Sequence, residues 1–331
     1  MPERLRPPVR HVPPCRACQW VGVLGLVAMV TASGPAAART LEVGPGQPYA
    51  RPSEAAAAAR DGDRVVIAPG EYVDCAVWRQ NDLTIEGALD GATGRGTVIT
   101  DKPCQGKGLF VIAGNRVTVR GLTLQRARVP DGNGAGIRAE GQDLLVEQVR
   151  FLDNENGILA ASQPQGVLIV RNSEFLRNGS CEQACAHGIY AGRLALLRVE
   201  RSTFRGTRQG HHVKSRAIRT EVLDSDIADG VDGTASYLID VPNGGAVLIR
   251  GNRLEKGPRA ENRQAAIAIG AEGVDRATPD IVVEDNQFRV DGAYRPAFVL
   301  NSTATPAILR SNVIEGQATP LRGDGSVTER R

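Results

Sequence analysis

The chain of 331 residues contains few aromatic side chains and only four histidines. Aromatic residues make up 4% of it, which argues against a binding surface built on stacked rings. The chain also lacks a long apolar run, since Trp20–Val30 is about half as long as a membrane-spanning helix needs and no later run approaches that length. We therefore expect no membrane span in the mature chain.

The first 38 residues have the features of a secretory signal. Four arginines precede the apolar run, and Ala36 and Ala38 stand at the two positions that determine cleavage. This pattern predicts a signal peptide at 1–38 and an exported protein, either periplasmic or secreted. An uncleaved anchor behind an arginine-rich front is the alternative.

Removal of that segment leaves a chain without excess charge of either sign, with 36 basic and 36 acidic residues. Such a balance lacks the broad positive field that nonspecific nucleic-acid binding requires, so no nucleic-acid partner is expected. The stretch QGHHVKSRA at 209–217 nevertheless concentrates two histidines, a lysine and an arginine. It is a local feature whose role depends on the fold.

The mature chain retains four cysteines, Cys75, Cys104, Cys181 and Cys185. An even number in an oxidising compartment favours disulfides. Of the three possible connectivities, the simplest joins the first to the second and the third to the fourth. Zinc binding is the weaker interpretation, because the two-residue spacing of a zinc knuckle occurs only at Cys15 and Cys18, within the signal.

A repeat with a period of 23 to 34 residues runs through the chain. Nine segments share one template, an aliphatic residue, two mostly polar residues and usually an apolar residue five places on: IEGALD at 85, VRGLTL at 119, VEQVRF at 146, VRNSEF at 170, VERSTF at 199, VLDSDI at 222, IRGNRL at 249, VEDNQF at 283 and LRSNVI at 309. Periods of this length indicate a solenoid. No sustained helical stripe follows residue 60, which excludes helical repeats.

Each period also contains a second short strand pattern, in AGIRAE at 135, NGILAA at 156, HGIYAG at 187, HHVKSR at 211, SYLIDV at 236, AAIAIG at 265 and PAFVLN at 296. Several strands per turn predict an all-β fold, a single right-handed parallel β-helix. We expect it to span 39–318, followed by a polar tail at 319–331. A short helix at 54–60, capped by Ser53, is expected to cover its first coil.

These repeats and the opening segment resemble the pectate-lyase-like right-handed β-helix proteins over roughly 40 to 318. That superfamily includes uronate lyases, epimerases, pectin hydrolases, tailspike-like glycosidases and binding proteins. The resemblance therefore implies a fold without selecting a chemistry.

Alignment of the second strands places seven apolar residues in one inward column: Ile137, Ile158, Ile189, Val213, Ile239, Ile267 and Phe298. Because side chains alternate along a strand, His212, Lys214 and Arg216 are expected to share the outer face. His211 lies near the start of the strand, where its direction is not fixed by this argument.

Stacking of coils adds polar neighbours to this outer face. Tyr190 precedes Lys214 by one coil, Asp240 follows it by one, and Arg138 and Glu140 lie two coils before Tyr190. Later coils carry Ala268 and Val299 in the same column, so the polar residues are confined to the middle of the solenoid. This confinement predicts a functional groove, whereas the alternative is a solvated face with weak ion pairs.

The histidines and aspartates also raise the question of metals. His187, His211 and His212 could supply ligands, but no carboxylate or cysteine stands at a regular ligand spacing. The segment DSDIADGVDG at 224–233 lacks the glycine and the closing glutamate of an EF-hand loop. No cofactor is assigned with certainty and calcium is left open. The recurring asparagines are interpreted as a structural ladder: Asn172, Asn252, Asn286 and Asn312.

Cations on a groove suit uronic-acid polymers, because abstraction of the proton next to a carboxylate requires that the carboxylate be neutralised. VKSRA loosely resembles a strand of β-helix alginate and chondroitin lyases. That resemblance implies Lys214 as the base, Arg216 or Arg138 as the carboxylate clamp, and Tyr190 or His212 as the acid. His187, His211, Glu140 and Asp240 are expected to contact the substrate.

The predicted function is thus action on an acidic polysaccharide, by a lyase or an epimerase. One alternative is a non-catalytic saccharide-binding β-helix, which would use the same cations without proton transfer. A glycoside hydrolase ranks lower, because it needs paired carboxylates and only Asp240 clearly occupies the groove. The sequence does not fix the sugar or the oligomeric state.

Overall fold

The computed structural model describes residues 38–94 and 96–329. After a first strand and a helix, the chain passes in turn through three parallel sheets, called sheets A, B and C, and each coil adds one strand to each. This is the right-handed parallel β-helix expected from the repeats. Within the described ranges no helix is long and apolar enough to cross a bilayer. The signal predicted at 1–38 lies outside the described residues except for Ala38.

Over the described residues the three sheets together contain 32 strands. Sheet A consists of Thr40–Val43, Arg64–Ile67, Thr84–Gly87, Val117–Arg120, Leu144–Glu147, Gln163–Arg171, Leu194–Glu200, Arg219–Leu223, Ala246–Arg250, Ile281–Glu284, Ala307–Arg310 and Gly325–Thr328. Sheet B consists of Gly70–Tyr72, Thr97–Thr100, Leu122–Gln125, Arg150–Leu152, Glu174–Leu176, Thr203–Arg205, Asp226–Ala228, Arg253–Lys256, Gln287–Val290 and Val313–Glu315. Sheet C consists of Ala76–Trp78, Gly108–Ile112, Ala135–Ala139, Asn156–Ala160, Ile189–Ala191, His211–Ser215, Tyr237–Val241, Ala265–Ile269, Ala297–Asn301 and Thr319–Arg322.

The inner face of sheet C carries a fully buried aliphatic column, Ile137, Ile158, Ile189, Val213, Ile239, Ile267 and Val299. Burial of each such side chain contributes about 1.5–3 kcal/mol to folding. The prediction ended this column on Phe298, which is wrong by one residue. Ile267 pairs with Val299, so Phe298 belongs to the next column, where it stacks on Phe288 at 5.0 Å.

The turn between sheets A and B contains the polar ladder, which runs through Ser173, Ser202, Ser225, Asn252, Asn286 and Asn312. Each backbone N–H donates to the side-chain oxygen of the next coil, so these turns have no unpaired buried donor at this position. Asn172, expected in the ladder, is outside it. Its side-chain oxygen accepts a hydrogen bond from Arg201 at 3.1 Å.

The capping helix spans Pro52–Ala58 rather than 54–60. Pro52 stands at the start of the helix, where its fixed φ and missing N–H are tolerated, and this moves the N-cap to Arg51. Ser53 is therefore not a cap, and its own N–H donates to Asp74 at 2.9 Å. The helix buries Ala55 in the core, so it covers the first coil as expected.

The segment expected to be a polar tail at 319–331 extends the solenoid instead. It adds the strands Thr319–Arg322 and Gly325–Thr328, the first to sheet C and the second to sheet A. Leu321 pairs with Val299 and continues the aliphatic column. One apolar residue per strand is a weak sequence signal, and the β-helix boundary predicted at 318 is therefore too early.

Both expected disulfides are formed, Cys75 with Cys104 and Cys181 with Cys185. The first closes a loop over a sequence separation of 29 residues, and the second ties a short turn over a separation of four. Disulfides are typical of proteins in oxidising compartments.

Candidate functional site

Sheet C brings the central polar residues onto adjacent strands, as predicted. Tyr190 pairs with Lys214, and Lys214 pairs with Asp240. Neighbouring strands lie about 4.8 Å apart, so the three side chains form one short row across three coils. The polar part of the row ends at Asp240, because the next two positions are Ala268 and Leu300. Leu300 takes the position predicted for Val299.

Lys214 is held between two carboxylates. Its Nζ lies 2.9 Å from Oδ2 of Asp240 and 2.5 Å from Oε1 of Glu272. Asp240 is 2% exposed, and burial raises the pKa of its carboxyl although Lys214 acts in the opposite direction. Lys214 itself is almost buried. The predicted base is therefore at the floor of the groove rather than on an open surface.

Arg216 lies beside Lys214 and shares Glu272 with it. Its Nη2 lies 2.6 Å from Oε2 of Glu272, its Nε donates to the Tyr190 hydroxyl at 2.9 Å, and its Nη1 donates to Asn243. Burial opposes the charge of Arg216, but the hydrogen bonds to Glu272 and Tyr190 outweigh it and raise the pKa. Two cations thus bind one carboxylate, one at each oxygen.

Glu272 was missed by the sequence analysis. It belongs to a segment between Ile269 and Ile281 that folds back over sheet C, where Asp275 pairs with Arg193 at 2.6 Å. Burial acts to raise the pKa of Glu272, but hydrogen bonds from the two cations hold it below its usual value. The only sequence signal was the 34-residue interval between IRGNRL and VEDNQF, longer than most.

Two neutral histidines line the groove beside this row. His187 and His211 stack with ring centroids 5.0 Å apart. The backbone N–H of His211 donates to Nδ1 of His187 at 3.0 Å, and that of Tyr237 donates to Nδ1 of His211 at 3.1 Å. Burial lowers the pKa of His187 to about 3 and that of His211 well below its usual value. Both rings therefore carry their proton on Nε2 at neutral pH.

His212 does not lie on the outer face, which corrects its predicted role as a catalytic acid. It is fully buried inside the solenoid, with Nε2 2.9 Å from Oδ1 of Asp229 and Nδ1 2.8 Å from the Thr207 hydroxyl. The alternation of faces fails at the start of the strand, where the chain arrives from sheet B and the ring turns inward beside Phe204. It cannot reach a substrate in the groove.

Arg138 and Glu140 lie at the far end of the same face. Arg138 occupies the Lys214 column three strands earlier, through Leu159 and Tyr190. Glu140 accepts a hydrogen bond from Lys107 at 2.7 Å. A cleft of about 470 Å³ beside Arg138 adjoins one of about 400 Å³ beside Lys214. The two clefts share the residues Cys185, His187 and Tyr190.

The carboxylates near the groove do not fit a resident calcium ion. Asp240 and Glu272 are both paired with Lys214, whose positive charge opposes a second cation. In the 224–233 segment Asp226 is paired with Arg205, and Asp229 points inward. No cluster of three potential ligands occurs in the described part of the chain. The interior position of His212 also removes the trio of histidines considered as a metal site.

A buried lysine lies beneath the groove. Lys256 is fully buried, and its Nζ donates to the Ser236 carbonyl at 2.6 Å. Burial lowers its pKa from 10.5 to about 8, although Asp229 acts to raise it.

This shift predicts a pH dependence of stability. Between pH 8 and 10.5 the unfolded chain keeps the Lys256 proton that the folded protein has lost, so the free energy of unfolding should rise with pH, by about 3 kcal/mol at most. Urea unfolding at several pH values checks this, with Lys256→Met as the comparison. The rise specific to Lys256 should be absent in that variant, and equal pH dependence of both proteins would contradict the shift.

Two solved structures have a similar fold. Alginate lyase from Paenibacillus sp. str. FPU-7 superposes with a TM-score of 0.58 at 17% identity, covering 87% of this chain and 99% of that chain. Pectate lyase Pel9A superposes with a TM-score of 0.61 at 15% identity, covering 90% of this chain and 80% of that chain. No protein-family model matches the chain, and no curated protein matches it. The protein thus has the right-handed parallel β-helix fold, and its chemistry has to be argued from the groove.

Proposed function

We propose that the protein acts on a uronate-containing polysaccharide by proton abstraction, as a lyase or an epimerase. One observation carries this proposal. The Glu272 carboxylate is bound by Lys214 at one oxygen and by Arg216 at the other. The groove therefore already has the geometry to hold a carboxylate, and the glutamate that fills it lies on a loop and is 45% exposed. A uronate carboxylate that displaces Glu272 meets the same two cations.

The roles follow from the contacts of each side chain. Arg216 neutralises the uronate carboxylate, which makes the proton on the adjoining ring carbon acidic enough to remove. Lys214, as the free amine, takes that proton. Asp240 lies 2.9 Å from Nζ and has a raised pKa, so it can hold the proton that the ammonium must first lose. Tyr190 bonds to Arg216 and supplies the acid.

In elimination, Lys214 removes the proton and the electron pair of the C–H bond forms a double bond to the next ring carbon. The bond from that carbon to the glycosidic oxygen breaks, and the oxygen takes the Tyr190 hydroxyl proton. Solvent then returns a proton from Lys214 to the phenolate. In epimerisation the same carbanion instead receives a proton on its opposite face, and the chain stays intact.

Hydrolysis fits the groove less well. A glycosidase needs one carboxylic acid and one carboxylate flanking the scissile bond. Asp240 and Glu272 both contact Lys214, and Asp240 lies almost wholly buried beneath it, whereas Glu261 borders the same cleft. We also propose that the protein is exported to the periplasm or the medium, which the two disulfides support.

A panel of acidic polysaccharides tests the proposed function. Elimination produces an unsaturated uronate that absorbs in the ultraviolet, and epimerisation changes the sugar stereochemistry without shortening the chain. Tight binding with neither product would identify a binding protein instead. Absence of both binding and turnover on every acidic glycan would overturn the proposal.

If the substrate displaces Glu272, removal of this side chain should change the affinity for oligouronates. Glu272→Ala removes the internal competitor, so the apparent affinity for oligouronates should rise about tenfold, as expected for two partly exposed ion pairs. KM from initial rates, or calorimetry if there is no turnover, measures the change. Glu284→Ala is the matched control, because Glu284 pairs with Arg310 on sheet A at 2.7 Å. Unchanged or weaker affinity in Glu272→Ala would show that Glu272 does not compete.

A further inference from the structure

A second cleft lies along the groove from Lys214, with Arg138, Asn156 and His187 among its lining residues. It is about 470 Å³ in volume and contains no carboxylate in its lining. Its walls include Tyr190, which also borders the cleft around Lys214. What this second cleft binds follows from the hydrogen-bonding groups that line it.

Asn156 presents an unpaired donor. Its side-chain oxygen accepts the backbone N–H of His187 at 2.8 Å, which fixes the orientation of the amide. The residue is 1% exposed, and its Nδ2 has no hydrogen-bond partner in the described structure. Buried polar groups are nearly always paired, so an orphaned donor beside a cleft points to an acceptor supplied by a ligand.

Arg138 presents further donors. Its Nε is buried without a hydrogen bond, since the nearest carboxylate oxygen, on Glu140, is 3.5 Å away and that carboxylate already accepts from Lys107. The guanidinium remains partly exposed at the cleft. A planar guanidinium with spare donors is suited to a carboxylate, which it can bind through two parallel hydrogen bonds.

His187 contributes a third donor. Its Nδ1 accepts the backbone N–H of His211, so the proton of the neutral ring is on Nε2, for which no partner is found within the described residues. Arginine, amide and imidazole thus all offer N–H groups, and no side-chain carboxylate lines the cleft to receive them. Such a surplus of donors favours an anionic ligand rich in acceptor oxygens.

We propose that Arg138, Asn156 and His187 form a second carboxylate-binding subsite, which holds another uronate unit of the chain bound at Lys214. This inference rests on the proposed function and extends it. Arg138 and Lys214 are three strand spacings apart, about 14 Å along the solenoid. A single sugar cannot occupy both positions, so the ligand is a polymer aligned with the solenoid axis.

The test compares ligand lengths. A uronate disaccharide can reach only one subsite, whereas a hexasaccharide can reach both. Arg138→Ala should weaken hexasaccharide affinity about ten- to hundredfold and leave disaccharide affinity unchanged. Calorimetry measures both ligands, and initial rates should show a higher KM for the hexasaccharide at the same kcat, because Arg138 is remote from the reacting carbon.

Two further variants serve as a control and as a second test of the subsite. Arg310→Ala removes an arginine with a similar ion pair on sheet A and should alter neither affinity. Asn156→Asp keeps the oxygen that accepts from His187 but replaces the free donor by a negative charge, so it should weaken the hexasaccharide selectively. Equal weakening of both ligands by Arg138→Ala, or no weakening, overturns the subsite. Failure of the wild-type protein to bind either ligand overturns the proposed function itself.

Discussion

Replacement of Lys214 by arginine is expected to lower kcat about 10²–10⁴-fold while the protein stays folded and binds its substrate. Arginine keeps the positive charge that compensates the buried Asp240. It can therefore replace the ion pair that Lys214 forms with Asp240 at 2.9 Å. It cannot release its proton at any working pH, so it cannot serve as a base. The substitution therefore separates the charge of Lys214 from its proton transfer.

The measurement is the initial rate of ultraviolet-absorbing product, or of epimerised sugar, with binding of the same oligouronate followed by calorimetry. Lys214→Ala is a poorer test, because it leaves the nearly buried Asp240 without its cation. Arg216→Ala is the companion variant, and it should chiefly raise KM because a clamp acts in the ground state as well. Full activity in Lys214→Arg would show that lysine is not the base.

The alternation of side chains along the strands of the β-helix made part of this groove predictable. Tyr190, Lys214 and Asp240 were assigned to one row because each follows an aliphatic residue that must face the core. Periodic burial fixes both the register of neighbouring coils and the face of each side chain. The row of Tyr190, Lys214 and Asp240 was therefore predicted correctly from the sequence alone.

The remaining errors occur where the period is interrupted. His212 precedes the regular part of its strand, so alternation gave the wrong face. Glu272 lies in an inserted loop, whose course no repeat determines, and its contact with Lys214 spans 58 residues of sequence. The unpaired donors of the second cleft could not be predicted from the sequence either. Packing of the folded chain, and not residue type, determines whether Nδ2 of Asn156 has a hydrogen-bond partner.

The interior position of His212 gives the second large expected effect, on stability rather than on catalysis. His212→Leu should lower the free energy of unfolding by about 3–5 kcal/mol, because it leaves the Asp229 carboxylate inside the solenoid without its imidazole partner. Asp229 retains the Gly257 N–H at 3.0 Å, which is not sufficient compensation for a buried charge.

Urea unfolding of four proteins tests this expectation: the wild type, the two single variants His212→Leu and Asp229→Leu, and the double variant. The double variant removes both partners of the His212–Asp229 pair together, so it should lose less stability than the sum of the singles. The His212→Leu protein that remains folded should also turn over substrate at the wild-type rate, because the ring lies on the opposite side of the strand from the groove. A normal stability together with a large loss of kcat would instead return His212 to the catalytic role that alternation alone had suggested.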